Sequence, residues 1–347
     1  MGGFYWKQGT ELASVVVHLE GGGWCYDEQD CLARSKTPIG SSLSWEPTGV
    51  PGMDGGAHGL LSFDSTQNPD FFNWTKFHLN YCDGASYAGS GSTSVDGKPL
   101  YFRGAAILDA FIDELLSNGN LSHGGRLIVG GTSAGGLATY LHLDHFRKRM
   151  PATVNVVGMP DAGFFLDTPD LAGANLFTTR MKYVSKMQNV SGHVNQGCLA
   201  ANPAADEWKC FMAEYTAPFI TTPFFALQSA YDSWQMDNVL VLPCARDLAT
   251  CTKRQKTAFL GFRDQVLERM KPVLALPDVG VWLSSCYLHG QQDIRGHWNT
   301  LTIAGVTAAQ AFGDWYFDRG AATRHHIDCP YPRCNDNAVP APGLLFE

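Results

Sequence analysis

The sequence predicts an α/β fold in which a mainly parallel central sheet carries helices on both faces and loop-rich insertions. Short apolar runs alternate with segments whose apolar residues recur at helical spacing, which is typical of a parallel sheet with covering helices. Hydrophobic residues make up 45% of the 347-residue chain, enough to bury a large core. The chain has 37 glycines and 18 prolines but only 17% charged residues, so we expect many loops and few solvated helices.

Six mostly apolar runs predict the strands of this sheet. Residues 14–19 include three consecutive valines, and β-branched side chains of this kind favour strands. The other five runs lie at residues 77–81, 126–129, 154–157, 223–227 and 279–283. Their short length and apolar character are expected of strands that are covered on both faces.

Two segments between these runs predict helices. Residues 106–116 have apolar residues at helical spacing and end near Gly119, a residue suited to a helix C-cap. Residues 134–150 carry three basic residues in the last predicted turn, and Pro151 follows directly. Basic side chains favour helix C-termini and proline cannot continue a helix, so the second helix is expected to end there.

The chain is expected to form a single domain, residues 1–347. No linker-like stretch divides it, and the polar or glycine-rich stretches at residues 35–70 and 168–213 are interpreted as insertions over the edge of the sheet. The first residues lack the charged and apolar regions of a signal peptide, whereas the cysteines suit a secreted protein. We therefore expect that an N-terminal leader is missing from this sequence.

Charge and hydropathy argue against two classes of partner. The chain has 25 basic and 33 acidic residues, a net charge of −8, whereas a generic nucleic-acid binder needs a basic surface. No apolar run reaches the ~20 residues that a membrane-spanning helix requires. We expect a monomer that binds no nucleic acid and has no membrane span.

Ten cysteines indicate an oxidising compartment, because this number is high for a cytosolic enzyme. Four pairs that are close in sequence are the predicted disulfides: Cys25–Cys31, Cys198–Cys210, Cys244–Cys251 and Cys329–Cys334. Cys82 and Cys286 remain as possible partners across the fold. Free thiols, or a zinc site at the last pair, are the alternatives. Three glycosylation sequons start at Asn73, Asn120 and Asn189. They add little evidence for secretion, since about one or two are expected by chance.

The strongest chemical signal is Gly-Thr-Ser-Ala-Gly at residues 131–135. It directly follows one predicted strand and opens a predicted helix at Ala134, which is the setting of a nucleophile elbow. Ser133 would then stand at a helix N-terminus, where free N–H groups and the helix dipole favour developing negative charge. The alternative is a glycine-rich turn with a helix-capping serine.

A second glycine-rich loop, Leu-Glu-Gly-Gly-Gly-Trp at residues 19–24, follows the first predicted strand. It is similar to loops that supply a backbone donor to the oxyanion in esterases. The expected oxyanion donors are the N–H groups of Gly22, Gly23 and Ala134. A phosphate-binding loop is the alternative, but the lysine and serine or threonine of a P-loop do not follow.

The chain order serine, acid, histidine directs the search for the two remaining catalytic groups. Asp232 follows the fifth predicted strand, and Asp161 and Asp237 are its rivals. His289 follows the sixth predicted strand, and His297 is its rival. The acid would orient the histidine, and the histidine would take the proton of the nucleophilic serine.

No metal and no organic cofactor is predicted. His142 and His145 lie three residues apart on one predicted helix, but no carboxylate–histidine pair elsewhere matches them. Four aromatic residues could form a wall that stacks on sugars or lines an acyl pocket, with ordinary packing as the alternative: Trp24, Tyr87, Trp234 and Trp298. Of these, Trp24 lies directly after the glycine-rich loop and is the expected substrate contact.

Together these motifs resemble those of plant pectin acetylesterases and, more distantly, of Notum carboxylesterases. The matching stretches run in family order along nearly the whole chain, at residues 19–25, 80–86, 102–105, 133–136, 161–165, 230–235, 285–289, 313–316 and 327–332. The resemblance implies an α/β-hydrolase-like fold, secretion, and removal of acetyl groups from pectin. It also implies that Ser133, Asp232 and His289 form the catalytic triad.

The sequence departs from the plant family beside the implied triad. The family usually has cysteines where this chain has Thr132 and Gly290, and a further cysteine near Leu143. Fewer cross-links are therefore expected around the elbow, and the chain is expected to be a divergent member of the family.

The expected substrate is an acetylated polysaccharide, with cell-wall pectin first. Polygalacturonate is itself an anion, so a chain of net charge −8 would need local cations such as Arg103 to bind it. The alternatives are another acetylated glycan, a lipid-modified substrate cleaved by a Notum-like deacylase, and a binding module without catalysis.

Overall fold

The computed structural model describes residues 2–45, 58–118, 121–292, 297–320 and 323–330. The strands of these ranges are β1 (Phe4–Lys7), β2 (Glu11–Leu19), β3 (Trp74–Leu79), β4 (Ser92–Val95), β5 (Lys98–Tyr101), β6 (Gly125–Thr132), β7 (Val154–Asp161), β8 (Phe224–Ser229), β9 (Val279–Ser284), β10 (Thr302–Ile303), β11 (Val306–Thr307) and β12 (His325–Ile327). Eight of them form one sheet in the order β1-β3-β2-β6-β7-β8-β9-β12. β1 runs antiparallel to β3 and the other pairs are parallel, which confirms the mainly parallel sheet.

Helices cover both faces of this sheet. In the described residues they are α1 (Glu28–Arg34), α2 (Gly104–Asn118), α3 (Ala134–Arg149), α4 (Leu176–Met187), α5 (Gln196–Ala201), α6 (Ala213–Thr216), α7 (Ser233–Asn238), α8 (Lys253–Leu274), α9 (His297–Thr300) and α10 (Ala308–Tyr316). Apolar residues of α2, α3, α4 and α8 share one core cluster, whereas those of α9 and α10 belong to another. The arrangement is that of an α/β-hydrolase-like fold.

The valine run of β2 shows how one strand serves both clusters. Val15 and Val17 belong to the cluster that contains Phe111 of α2, and Val16 belongs to the cluster that contains Phe312 of α10. Successive side chains of a strand point to opposite faces, so an apolar residue at every position fits a strand covered on both sides. Full burial of each such side chain contributes about 1.5–3 kcal/mol.

The six predicted strands and two predicted helices are all present, with bounds that differ by a few residues. The largest difference at one end of a strand is in β7, which ends at Asp161 rather than at residue 157, and β3 begins at Trp74 rather than at residue 77. The charge of Lys76 hides the start of this strand in the sequence. In the structure Lys76 is fully buried, because its Nζ donates to the carbonyls of Phe71, Phe72 and Trp74.

Other elements carry no clear pattern in the sequence. The edge strands β1 and β12 have only four and three residues, and their strand geometry depends on pairing with β3 and β9. The segment 168–213 contributes more to the core than its polar composition predicts. Phe177, Met181 and Val184 of α4 are buried in the same cluster as β2.

Three of the predicted disulfides are present: Cys25–Cys31, Cys198–Cys210 and Cys244–Cys251. The fourth prediction involves Cys334, which lies outside the described residues, as does the sequon at Asn120. The suggestion that Cys82 and Cys286 pair across the fold is wrong, because both are free thiols. Cys286 is buried in the cluster that contains Phe312 of α10, the α10-side cluster. Cys82 follows β3 and is partly buried. In the part of the chain that the structure describes, no helix is long and apolar enough to cross a membrane.

Candidate active site

Ser133 occupies a sharp turn between β6 and α3. Its backbone has φ 62° and ψ −123°, a conformation that L-residues rarely adopt. Gly131 and Gly135 pack so closely on each side that a Cβ on Gly135 would overlap the carbonyl of Leu19. The strained turn therefore holds the serine hydroxyl above the sheet at the N-terminus of a 16-residue helix.

Ser133, His289 and Asp232 form one hydrogen-bonded chain. Nε2 of His289 lies 2.7 Å from the hydroxyl oxygen of Ser133, and Nδ1 lies 2.8 and 3.0 Å from the carboxylate oxygens of Asp232. The three residues follow β6, β8 and β9, so the parallel sheet brings them to one edge. This geometry allows the histidine to take the serine proton while the aspartate holds the correct tautomer.

The aspartate of this hydrogen-bonded triad is itself fixed in place. Asp232 is fully buried and caps α7, since its carboxylate accepts the backbone N–H of Gln235 at 2.9 Å. Gln228 also donates to it at 3.3 Å. These two donors hold the carboxylate in a fixed orientation towards His289.

The pKa of His289 is raised above its ordinary value of 6.5. Burial alone lowers this pKa, but the charge of Asp232, the hydrogen bond that its carboxylate accepts from the imidazole and the charge of Asp161 together outweigh burial. Stabilisation of the imidazolium is useful in a general base that carries a proton during the reaction.

The rival residues have other positions. Asp161 accepts the backbone N–H groups of Gln291 and Gln292 just beyond the histidine. Asp237 forms an exposed ion pair with Arg246, and His297 begins α9. Sequence order alone left these alternatives open, and only the fold separates them.

Gly22, Gly23 and Ala134 lie close to the nucleophile turn. A Cβ on the preceding Gly21 would lie 3.2 Å from Cβ of Ser133, so the glycine-rich loop is in direct contact with the turn. Gly22 has φ 132° and Gly23 has φ 64°, values that favour glycine. Within the described residues, the N–H groups of these three residues donate to no other protein group. They can therefore serve as oxyanion donors.

Aromatic rings form a wall beside the histidine. Trp24, only 5% exposed, packs against Phe165 at 4.9 Å, Phe177 at 5.9 Å and Trp234 at 5.6 Å between ring centroids. The rings of Phe165 and Trp234 lie 6.1 and 6.2 Å from that of His289. We call these four rings the aromatic wall.

Two of the four aromatic candidates lie elsewhere. Tyr87 is buried and donates to the carbonyl of Leu79, and Trp298 is buried in the α10-side cluster. Conversely, sequence reasoning missed Phe165 and Phe177. Phe165 lies in the matching stretch 161–165, which was a usable signal, whereas no local pattern marks Phe177.

The two helix histidines have structural partners. His142 is buried with Nε2 2.9 Å from the carbonyl oxygen of Ser86, and His145 pairs with Asp109. Among the described residues, no group of three or more His, Cys, Asp or Glu side chains could hold a metal ion.

Thr132 and Gly290 are neighbours in space. A Cβ on Gly290 would lie 2.9 Å from Cγ2 of Thr132. The two positions at which the resemblance implies cysteine therefore lie against each other beside the nucleophile turn, where this chain has threonine and glycine.

Comparison with known proteins identifies the family of this chain. The family model described as Pectinacetylesterase matches residues 1–339. Pectin acetylesterase 5 of Arabidopsis thaliana is 37% identical over 346 residues, covering 96% of this chain and 78% of the relative, and pectin acetylesterase 7 of the same plant is 34% identical over 94% and 84%. Human palmitoleoyl-protein carboxylesterase NOTUM is 26% identical over 96% of this chain and 68% of its own length. The chain belongs to the pectinacetylesterase family and is a carboxylic ester hydrolase.

Proposed function

We propose that this chain is a serine esterase that removes O-acetyl groups from cell-wall pectin through an acyl-enzyme. The single observation that carries the proposal is the chain of hydrogen bonds from Ser133 through His289 to Asp232. The names of its plant relatives support acetylated pectin as the substrate. Its disulfides support secretion. The chain acts as one catalytic domain and as a monomer.

The reaction needs only groups of this chain. His289, oriented by Asp232, takes the hydroxyl proton of Ser133 as its oxygen attacks the ester carbonyl. The N–H groups of Gly22, Gly23 and Ala134 bind the oxyanion. The imidazolium then protonates the departing sugar oxygen, which leaves as a free hydroxyl. The same histidine deprotonates a water molecule that attacks the acetyl-serine, and it returns the proton to the oxygen of Ser133 as acetate leaves.

The aromatic wall supports a second candidate function. Two of its rings, Phe165 and Trp234, lie beside His289, and the wall would form the apolar lining that a longer acyl chain needs, as in a Notum-like deacylase of a lipid-modified substrate. The net charge of −8 also keeps other acetylated glycans open. Arg103, the cation named from sequence, donates to the carbonyls of Gly91 and Phe102.

Substrate panels separate these candidates. Acetate release would be measured from acetylated pectin, xylan and mannan, and initial rates from 4-nitrophenyl esters of C2 to C16 acids. The Ser133→Ala variant gives the background. Preference for acetylated pectin and for the C2 ester supports the proposal. Faster cleavage of C8–C16 esters favours the deacylase. Acetate release from xylan or mannan, but not from pectin, would identify another glycan as the substrate.

A further inference from the structure

Two successive peptide groups of the glycine-rich loop are held by side chains. Nη1 of Arg34 donates to the carbonyl oxygen of Gly22 at 2.7 Å, and the hydroxyl of Tyr81 donates to the carbonyl oxygen of Gly23 at 2.8 Å. In a trans peptide the carbonyl and the next N–H point in opposite directions. The first bond therefore fixes the direction of the Gly23 N–H, and the second fixes that of the Trp24 N–H.

The loop needs such support because its glycines do not restrain it. Gly22 and Gly23 both have positive φ, and a Cβ on Gly23 would meet no atom within 4 Å. Peptides flanked by glycine rotate easily, whereas an oxyanion hole is effective only when its donors point at the developing charge beforehand. The hydrogen bonds from Arg34 and Tyr81 to these carbonyl oxygens supply this preorganisation.

Ion pairing does not explain the position of Arg34. Among the described residues no carboxylate oxygen lies within ion-pair distance of its guanidinium, although its charge acts at longer range on the carboxyl groups of Glu20 and Asp83. The guanidinium stacks on the ring of Tyr81, 4.8 Å from the centroid, and donates to the carbonyl oxygen of Gly22. Its Nε and Nη2 are buried without a protein acceptor, so the hydrogen bond to Gly22 is what orients the guanidinium.

Local structure places the side chains of Arg34 and Tyr81 next to the glycine-rich loop. Arg34 is the last residue of α1, and the disulfide Cys25–Cys31 ties this helix to the residue that follows Trp24. Tyr81 follows β3, and its hydroxyl also accepts the backbone N–H of Ser86 at 2.8 Å.

We propose that Arg34 and Tyr81 are positioning residues for the oxyanion hole. Arg34 holds the Gly22–Gly23 peptide so that the Gly23 N–H meets the oxyanion, and its charge polarises that peptide. Tyr81 holds the next peptide, Gly23–Trp24, and so restrains the other side of Gly23. This inference rests on the proposed esterase function.

The test compares Arg34→Gln, Arg34→Lys and Tyr81→Phe with a matched control, Arg126→Gln. Arg126 also stacks on an aromatic ring at 4.8 Å, but it lies at the start of β6, at the opposite end of the sheet from Ser133. We would measure kcat and KM for 4-nitrophenyl acetate between pH 5 and 9, the rate of inactivation by a fluorophosphonate, and Tm. Rates would be expressed per active site titrated.

We expect kcat of Arg34→Gln to fall about 10- to 100-fold and that of Tyr81→Phe about 10-fold, somewhat less than loss of a donor itself. KM and the midpoint of the acid limb should stay near wild type, because neither ground-state binding nor His289 is altered. Fluorophosphonate inactivation should slow in parallel, since it also builds charge on an oxygen. Arg34→Lys keeps the charge and should recover part of the loss.

Wild-type kcat per active site in both Arg34→Gln and Tyr81→Phe would overturn the inference, as would an equal loss in Arg126→Gln. If Arg34→Gln does not fold, Arg34→Lys and Tyr81→Phe still decide. Failure of the proposed function looks different, because the wild type would then neither hydrolyse the aryl acetate nor be labelled at Ser133.

Discussion

The carboxylate of Asp161 accepts the backbone N–H of Gln291 at 2.8 Å, two residues beyond His289. The carbonyl oxygen of the same aspartate accepts the N–H of Ser133 at 2.9 Å. One residue at the end of β7 therefore connects the nucleophile turn to the loop that carries the histidine. Sequence order made it a rival for the catalytic acid, but its contacts are those of a positioning residue.

The variant Asp161→Asn should shift the pH profile. The charge of Asp161 contributes to the raised pKa of His289, and the reaction needs the neutral imidazole. Removing this charge lowers the pKa, so the acid limb of kcat/KM should move to lower pH. The lost backbone contacts should also reduce kcat by about 10-fold. An acid limb that stays in place or moves to higher pH contradicts this reading.

The variant Ser133→Ala should keep the fold and lose at least ~10³-fold in esterase rate, the scale seen when a triad member is removed. Asp232→Asn should lose about 10⁴-fold, because the amide favours the wrong histidine tautomer. Initial rates on an aryl acetate, with circular dichroism as the folding control, measure both. Near-wild-type turnover by folded Ser133→Ala would refute the nucleophile.

Two disulfides of similar loop length form a matched comparison. Cys25–Cys31 closes a six-residue separation beside the glycine-rich loop, and Cys244–Cys251 closes a seven-residue separation near α8. Replacing either pair with serine should lower stability by a similar amount, about 2 kcal/mol. Only the first replacement should reduce kcat, because it frees α1 and Arg34 from the loop. Equal kcat losses, measured per titrated active site, would show that the first disulfide has no special role.

The protein should lose stability between neutral pH and pH 5 because of a histidine pair. His18 and His78 are partners across β2 and β3, with their Nδ1 atoms 3.1 Å apart. Burial lowers the pKa of His18 to about 3, with a further contribution from His78, and burial lowers the pKa of His78 to about 4. Below pH 6.5 the unfolded chain protonates both histidines while the native state does not, so stability falls as pH falls.

The expected loss is about 2 kcal/mol per histidine between pH 7 and pH 5. His78→Asn removes one titrating group while keeping a polar partner for His18. Between pH 7 and pH 5 its unfolding free energy should therefore fall by about 2 kcal/mol less than that of the wild type. Urea unfolding at several pH values measures the difference, with the exposed His123→Asn as control. A pH dependence identical to wild type would rule out the pair as its source.

The double variant Thr132→Cys/Gly290→Cys should form a disulfide. Cγ2 of Thr132 occupies a γ position 2.9 Å from a Cβ at 290, close to the ~3 Å that separates a disulfide sulfur from the far Cβ. The positive φ of 88° at residue 290 opposes a side chain, so Gly290→Cys alone should be less stable than wild type. Mass spectrometry of intact and reduced protein detects the bond. Two free thiols in the oxidised double variant would mean that the backbone cannot bring the sulfurs together.

The sequence by itself determined the sheet and the chemistry at its edge. Continuous apolar runs identify strands buried on both faces, and the small residues around Ser133 identify the turn, because both signals are local. Strand order narrowed the catalytic acid and base to a few candidates that include Asp232 and His289, since parallel strands end at one edge. Three disulfides also followed from sequence spacing, as short loops bring their cysteines together.

Only the tertiary structure decided which groups meet across long separations. The contacts of Asp161 with Ser133 and Gln291, and the hydrogen bond from Tyr81 to Gly23, depend on which strands lie side by side in the sheet. The free thiols of Cys82 and Cys286 likewise could not be read from the sequence. Such contacts leave no periodic signal, since hydrogen bonds and packing join residues whose positions along the chain are unrelated.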